Sequence, residues 1–146
     1  MKIQRELPQF KNKRVLIAVT GERAGKLYLA ENGSLKELQT IRTPIPHYSD
    51  NEGFFMTRSG RGATRSGAVR EPIRDKIRAE FMKLFAEALH DNAERHQPET
   101  VYFCAPQQVA RIMQKSFHTS DRKRITKTIF GNRTDRHPFE LLKLLG

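Results

Sequence analysis

Apolar residues fall along this chain in two rhythms. Arg14-Val-Leu-Ile-Ala-Val19 is a short, nearly continuous apolar run rich in β-branched residues, the pattern of a buried strand. Lys26-Leu-Tyr-Leu-Ala30 alternates polar and apolar positions, as a half-buried strand does, and Ser34–Arg42 places Leu35, Leu38 and Ile41 in a third. Asn32-Gly33 between them is a hairpin signal, so the chain is expected to open as an antiparallel meander. The rhythm then lengthens. Ile73, Ile77, Phe81, Leu84, Phe85, Ala88 and Leu89 recur at helical spacing, and Pro72 suits the first turn of a helix starting there. Thr100-Val-Tyr-Phe-Cys104 reads as another buried strand. A helix over Pro106–Phe117 is expected to turn Val109, Ile112, Met113 and Phe117 to one side. Arg124–Phe130 alternates as a strand or edge strand, and Pro138–Leu145 closes the chain as a short helix.

This order predicts one mixed α/β domain spanning residues 1–146, with about five strands and three helices, an antiparallel start and helical crossovers. One stretch lacks any rhythm. From His47 to Arg70 the sequence predicts a long polar loop, and loops beyond about 15 residues in a compact domain are usually functional or disordered.

Charge gives that stretch its interest. The 146 residues carry 27 Lys and Arg against 16 Asp and Glu, a net charge of +11. Residues 53–79 hold seven of the cations against two acids, and residues 115–136 hold seven against two. Each segment nets +5, so everything else nets +1. Excess charge gathered in this way favours a polyanionic partner. The phosphate-contacting candidates are Arg58, Arg61, Arg65, Arg70 and Arg74 in the first segment, and Arg122, Lys123, Arg124, Lys127, Arg133 and Arg136 in the second. Arginine offers a planar fork of donors to phosphate. Gly60, Gly62 and Gly67 remove the Cβ atoms that would hold backbone away from a sugar-phosphate chain.

Little points to catalysis, and neither a catalytic residue, a metal ligand nor a cofactor is expected. His47, His90, His96, His118 and His137 have no zinc-ligand spacing. Cys104 sits within an apolar strand and is expected to be a buried, unreactive thiol. The apolar runs are too short to span a membrane and the N-terminus lacks a signal-peptide pattern, so the expected location is the cytoplasm, with no membrane insertion.

Three antiparallel strands, a Gly/Arg loop, a long helix, a strand and a second helix resemble the central domain of archaeal and eukaryotic peptide-chain release factors and of Pelota. The resemblance implies an RNase H-like fold. Gly60-Arg61-Gly62 matches the start of the release-factor loop, while Ala63 and Thr64 stand where its catalytic Gly-Gln pair would be. VLIAVTGERAGKLYLAENGSLKEL, EPIRDKIRAEFMKLFAEAL, VYFCAPQQVARIMQKSF and ITKTIFGNRTDRHPFELLKLL are together similar to the bacterial host attachment protein family, which is related to that domain. In its last segment, Thr134 and Pro138 keep the family pattern and the usual Lys-Asp-Leu is missing.

These readings converge on a non-enzymatic RNA- or ribosome-binding factor in translation, with ribosomal RNA or tRNA as partner. A protein-interaction module of the host-attachment type is the alternative. Peptidyl-tRNA hydrolysis is disfavoured because Thr64 lacks a glutamine's reach and Ala63 restricts the backbone. Nuclease chemistry is disfavoured because the first strands carry none of the clustered carboxylates that two-metal catalysis needs.

Overall fold

The computed structural model describes residues 1–43 and 60–145, the side chains of 60–74 and 145 excepted. Along the chain the elements are β1 (Arg14–Thr20), β2 (Ala24–Glu31), β3 (Ser34–Arg42), α1 (Gly60–His96), β4 (Thr100–Ala105), α2 (Gln107–Ser116), α3 (Thr119–Arg124), β5 (Ile125–Phe130) and α4 (Pro138–Leu145). The five strands form one mixed sheet in the order β3-β2-β1-β4-β5, an α/β fold. β1 pairs antiparallel with β2 and parallel with β4, and β5 runs parallel to β4 at the edge. Among the described residues no helix is long and apolar enough to cross a membrane.

β1 reads as a nearly unbroken apolar run because both of its faces are covered. Leu16 and Ala18 belong to a core shared with α1 and α2, where Phe81, Phe85, Leu89, Phe103 and Met113 are buried. Val15, Ile17 and Val19 face a second core, closed by Ile3 and Leu7 of the N-terminal segment and by Leu141 and Leu142 of α4. The Asn32-Gly33 turn has positive φ at both residues, 46° and 74°, as a two-residue hairpin of this twist requires. Gly25 is needed for space: a Cβ there would lie 2.5 Å from the Phe85 ring. Phe85 can cross β2 closely only because that strand has no side chain at this point.

Several expectations change. The helix expected to begin near Pro72 begins at Gly60, so residues 60–70 of the expected loop are helical. Residues 47–59 of that loop lie outside the described residues. Arg61, Ala63, Arg65, Ala68 and Arg70 are good helix formers, and a helix already nucleated by its packed half propagates into such a stretch. No apolar rhythm announced it. Pro72 therefore sits inside the helix, where its missing N–H removes one ladder bond.

A fourth helix, α3, was not expected; its six residues, TSDRKR, are too short and polar to show a period. Leu84 and Ile112, which helical spacing aligns with Phe85 and Met113, are 41% and 46% exposed. Their helices press Phe85 and Met113 inward instead, and Ala110 is buried beside them in the same core.

Two bulges also break the simple alternation. In β3 the pairing passes from Gln39 opposite Leu27 to Glu37 opposite Tyr28, leaving out Leu38. In β5 it passes from Ile125 opposite Val101 to Lys127 opposite Tyr102, leaving out Thr126. Each extra residue reverses which face the following side chains take. Ile125 accordingly packs on the first core and Ile129 on the second.

Candidate nucleic-acid interface

Because β1, β4 and β5 are parallel, their carboxyl ends come out side by side at Thr20, Ala105 and Phe130. In α/β sheets this end is the usual place for a ligand. Three connections meet there: the Gly21–Arg23 turn, Pro106 at the start of α2, and the segment after Gly131. They enclose an open cleft of about 370 Å³ lined by Gly21, Arg23, Pro106, Asn132 and Thr134, among others. Thr134 Oγ1 donates to Asn132 Oδ1 at 2.9 Å, and the Asn132 amide lies against Gly21, where a Cβ would be 3.3 Å from Oδ1.

Arg133 folds back over Gly131. That glycine has φ +144°, and a Cβ on it would sit 3.2 Å from Arg133 Nε. The Nε atom is buried and makes no hydrogen bond. Burial pushes the Cys104 thiol up from its ordinary pKa, and the nearby Arg133 charge opposes that shift. The thiol donates weakly to Gly131 O at 3.8 Å and packs in the core, as expected.

On α1, Arg78 reaches the same end of the sheet, with Nη2 3.7 Å from Glu22 Oε1 and its own Nε buried without a hydrogen bond. From Arg78 the helix continues towards Gly60 for about another 27 Å at 1.5 Å per residue. Arg61, Arg65, Arg70 and Arg74 lie along this part of α1, together with Gly60, Gly62 and Gly67. Arg58 lies outside the described residues. At 100° per residue, positions 61 and 65 share one side of the helix and positions 70 and 74 the opposite side.

The second basic segment is not one patch. The length of β5, about 20 Å, separates its parts. Arg133 and Arg136 lie beyond the carboxyl end, where Arg136 is 3.7 Å from Glu140. Lys127 lies within β5, 5.9 Å from the centre of the Tyr102 ring. Arg122 and Lys123 are exposed at the amino end, and Arg122 makes a long 3.4 Å contact to Thr119 Oγ1.

Arg124 has a different task. It donates to Ala93 O at 3.3 Å and to Gln97 Oε1 at 3.4 Å, closing the carboxyl end of α1. Arg14 does the same from β1, donating to His96 O at 3.0 Å and to Glu31 at 2.9 Å. Cations are favoured at a helix carboxyl end, where carbonyl groups lack partners.

Beside them, α3 is held to α1 by His90, whose Nδ1 is 3.0 Å from Asp121 Oδ2. The His118 ring stacks on His90 at 3.7 Å. Asp121 is buried and its other oxygen has no hydrogen bond. Among the described residues no cluster of three His, Cys, Asp or Glu could hold a metal ion. His137 starts α4 by accepting from the Phe139 N–H at 3.1 Å.

Sequence reading missed Arg23, Arg78 and Asn132. Arg78 falls within the first basic segment without being singled out, and nothing in the local sequence of Arg23 and Asn132 marks those two. They meet only because the parallel pairing of β1, β4 and β5 brings together turns more than a hundred residues apart.

No family model matches this chain, and no curated protein does. The host-attachment resemblance thus rests on its quoted residues alone. Solved structures share the fold. The crystal structure of the archaeal translation termination factor aRF1 is similar with a TM-score of 0.54 at 14% identity, over 84% of this chain and 32% of that one. An archaeal protein is similar with a TM-score of 0.55 at 12% identity, over 90% of this chain and 34% of its own. This chain spans about a third of the length of either structure.

Proposed function

We propose that the protein is a non-enzymatic RNA- or ribosome-binding factor of translation, acting in the cytoplasm. The observation that carries this reading is the fold shared with a translation termination factor. The net charge of +11 and the arginines at the carboxyl end of the parallel strands support it. Arg23, Arg133 and Arg136, with the basic amino-terminal part of α1, form the phosphate-contacting surface. Arg122 and Lys123 form a separate, lesser contact. The release-factor reaction is left out because Ala63-Thr64 replaces Gly-Gln.

Sedimentation with ribosomes at low and high salt tests the reading. Binding at low salt and release at high salt are expected, because each phosphate contact contributes about 0.7–0.9 to the slope of log K against log salt. Free protein at both salts would overturn the reading in favour of a protein-interaction module. Replacing Arg58, Arg61 and Arg65 together by Ala should lower the slope by about two to three units with little change in thermal stability. An unchanged slope would remove those three residues from the surface.

A further inference from the structure

The edge formed by β5 is not explained by RNA binding. β5 lies at the end of the sheet order, and no described segment pairs with its outer side. Its inner side is fixed by Gly131, whose N–H donates to Ala105 O at 2.9 Å. Successive residues of a strand direct their backbone groups to opposite sides, so Gly131, Ile129 and Lys127 face β4 with N–H and C=O. Thr128 and Phe130 therefore present theirs outward. An edge of this kind is a template for another strand.

Its side chains select among possible occupants. Phe130 is 53% exposed at the carboxyl end of the strand, an apolar anchor beside the open backbone. The strand ITKTIF contains no acid, and Arg122 and Lys123 precede it while Arg133 and Arg136 follow it. Pairing with a second copy of this chain would set one +5 segment against another, and like charges across strands repel. A lysine on an edge strand is a common device against such self-pairing. An acidic strand meets no such penalty. RNA could use the cations, and a base could stack on the phenyl ring, but RNA cannot continue the row of backbone donors and acceptors as an added strand does.

We infer that the outer edge of β5 receives an extended, acidic segment of a partner protein, which adds to the sheet as a further strand. Main-chain hydrogen bonds at Thr128 and Phe130 would supply the register, as in other cases of strand addition. The flanking cations supply the preference for acid, and Phe130 packs against an apolar side chain of the segment. This inference does not depend on ribosome binding, and the absence of that binding would leave it standing.

The test uses a capped peptide of about ten residues alternating glutamate with valine, long enough to match a strand. Amide exchange of the full chain is measured with and without it. Exchange at Thr128 and Phe130 should slow at least about tenfold on saturation, and the β3 edge at Ser34–Arg42 should be unaffected. Thr128→Pro removes one outward N–H, a change that edge strands accept. Lys127→Glu reverses the charge of the edge without touching the backbone. Each should weaken the peptide at least about tenfold, corresponding to about 1.4 kcal/mol. The unchanged exchange pattern of β1 establishes that each variant is folded. Three results would overturn the inference. The first is no slowing at Thr128 and Phe130 with the wild-type chain, and the second is an affinity that folded Lys127→Glu leaves intact. The third is an oligouridylate that slows the same two amides and displaces the peptide, which would give the edge to nucleic acid.

Discussion

The two ends of the parallel strands carry similar numbers of arginines and use them in opposite ways. At the amino end, Arg14 and Arg124 spend their donors on the last carbonyls of α1, at Ala93 and His96. At the carboxyl end, Arg78 and Arg133 each keep a buried Nε with no hydrogen bond, beside a cleft that Arg23 lines. A charge count therefore does not measure available charge. One arginine completes a helix, and another of equal formal charge, Arg23, lines an open cleft.

The most damaging test of this contrast is an affinity measurement. Arg23, Arg133 and Arg136 replaced together by Ala should lower ribosome affinity about a hundredfold at low salt, a loss of about 2.7 kcal/mol. Urea unfolding of that variant should move little. The contrast fails if the pair Arg14→Ala and Arg124→Ala lowers affinity as much. For that pair the effect belongs in stability, with about 1–2 kcal/mol lost in urea denaturation and affinity nearly unchanged, since exposed charged hydrogen bonds at a helix end are worth that much together.

Gly131→Ala mixes the two effects. Its Cβ forces strain at φ +144° and displaces the Arg133 guanidinium, so about 1–3 kcal/mol of stability and part of the affinity should be lost together. Loss of affinity without loss of stability would show that Gly131 is not held in its present conformation.

The smallest effect is a dependence on pH at the amino end. Burial lowers the pKa of His96 below the ordinary 6.5, and Arg95, Lys36 and Arg14 lower it further against the pull of Glu31. The unfolded imidazole takes up its proton first. Stability is therefore untouched above 6.5, falls as pH drops through that value, and stops falling once the folded imidazole is also charged. His96→Gln should lose less in melting temperature than wild type between about pH 7 and about pH 5. Parallel melting curves for the two proteins would remove His96 from the account.

The strands were legible from sequence because each carries its own period. Val15–Val19 is apolar throughout, Leu27, Tyr28 and Ala30 lie within a polar–apolar strand, and Asn32-Gly33 fixes one turn locally. The bulges at Leu38 and Thr126 were hidden, because one extra residue in a strand leaves no mark until its partner strand is known. The first three turns of α1 were hidden for a related reason: Gly60–Arg70 has helix-forming residues but no apolar stripe to betray a period. Of the candidate interface, Arg133 and Arg136 could be read, Arg23 and Arg78 were not singled out, and the grouping could not be read at all. Arg122 and Arg133 are eleven positions apart in sequence, yet β5 carries them to opposite ends of the sheet.

The bulge in β3 links the two cores. Leu35 and Ile41 are six positions apart and would share a face in a regular strand, but the extra residue sends Leu35 into one core and Ile41 into the other. This single edge strand thus acts as a rivet through the sheet. Peeling it away uncovers both layers in one step, so neither core can loosen by shedding β3 while the other keeps it. The two sides of the domain are joined in their cooperativity at its thinnest margin, and removal of Leu38, which would restore a regular strand, would break that union by leaving both residues on the same side.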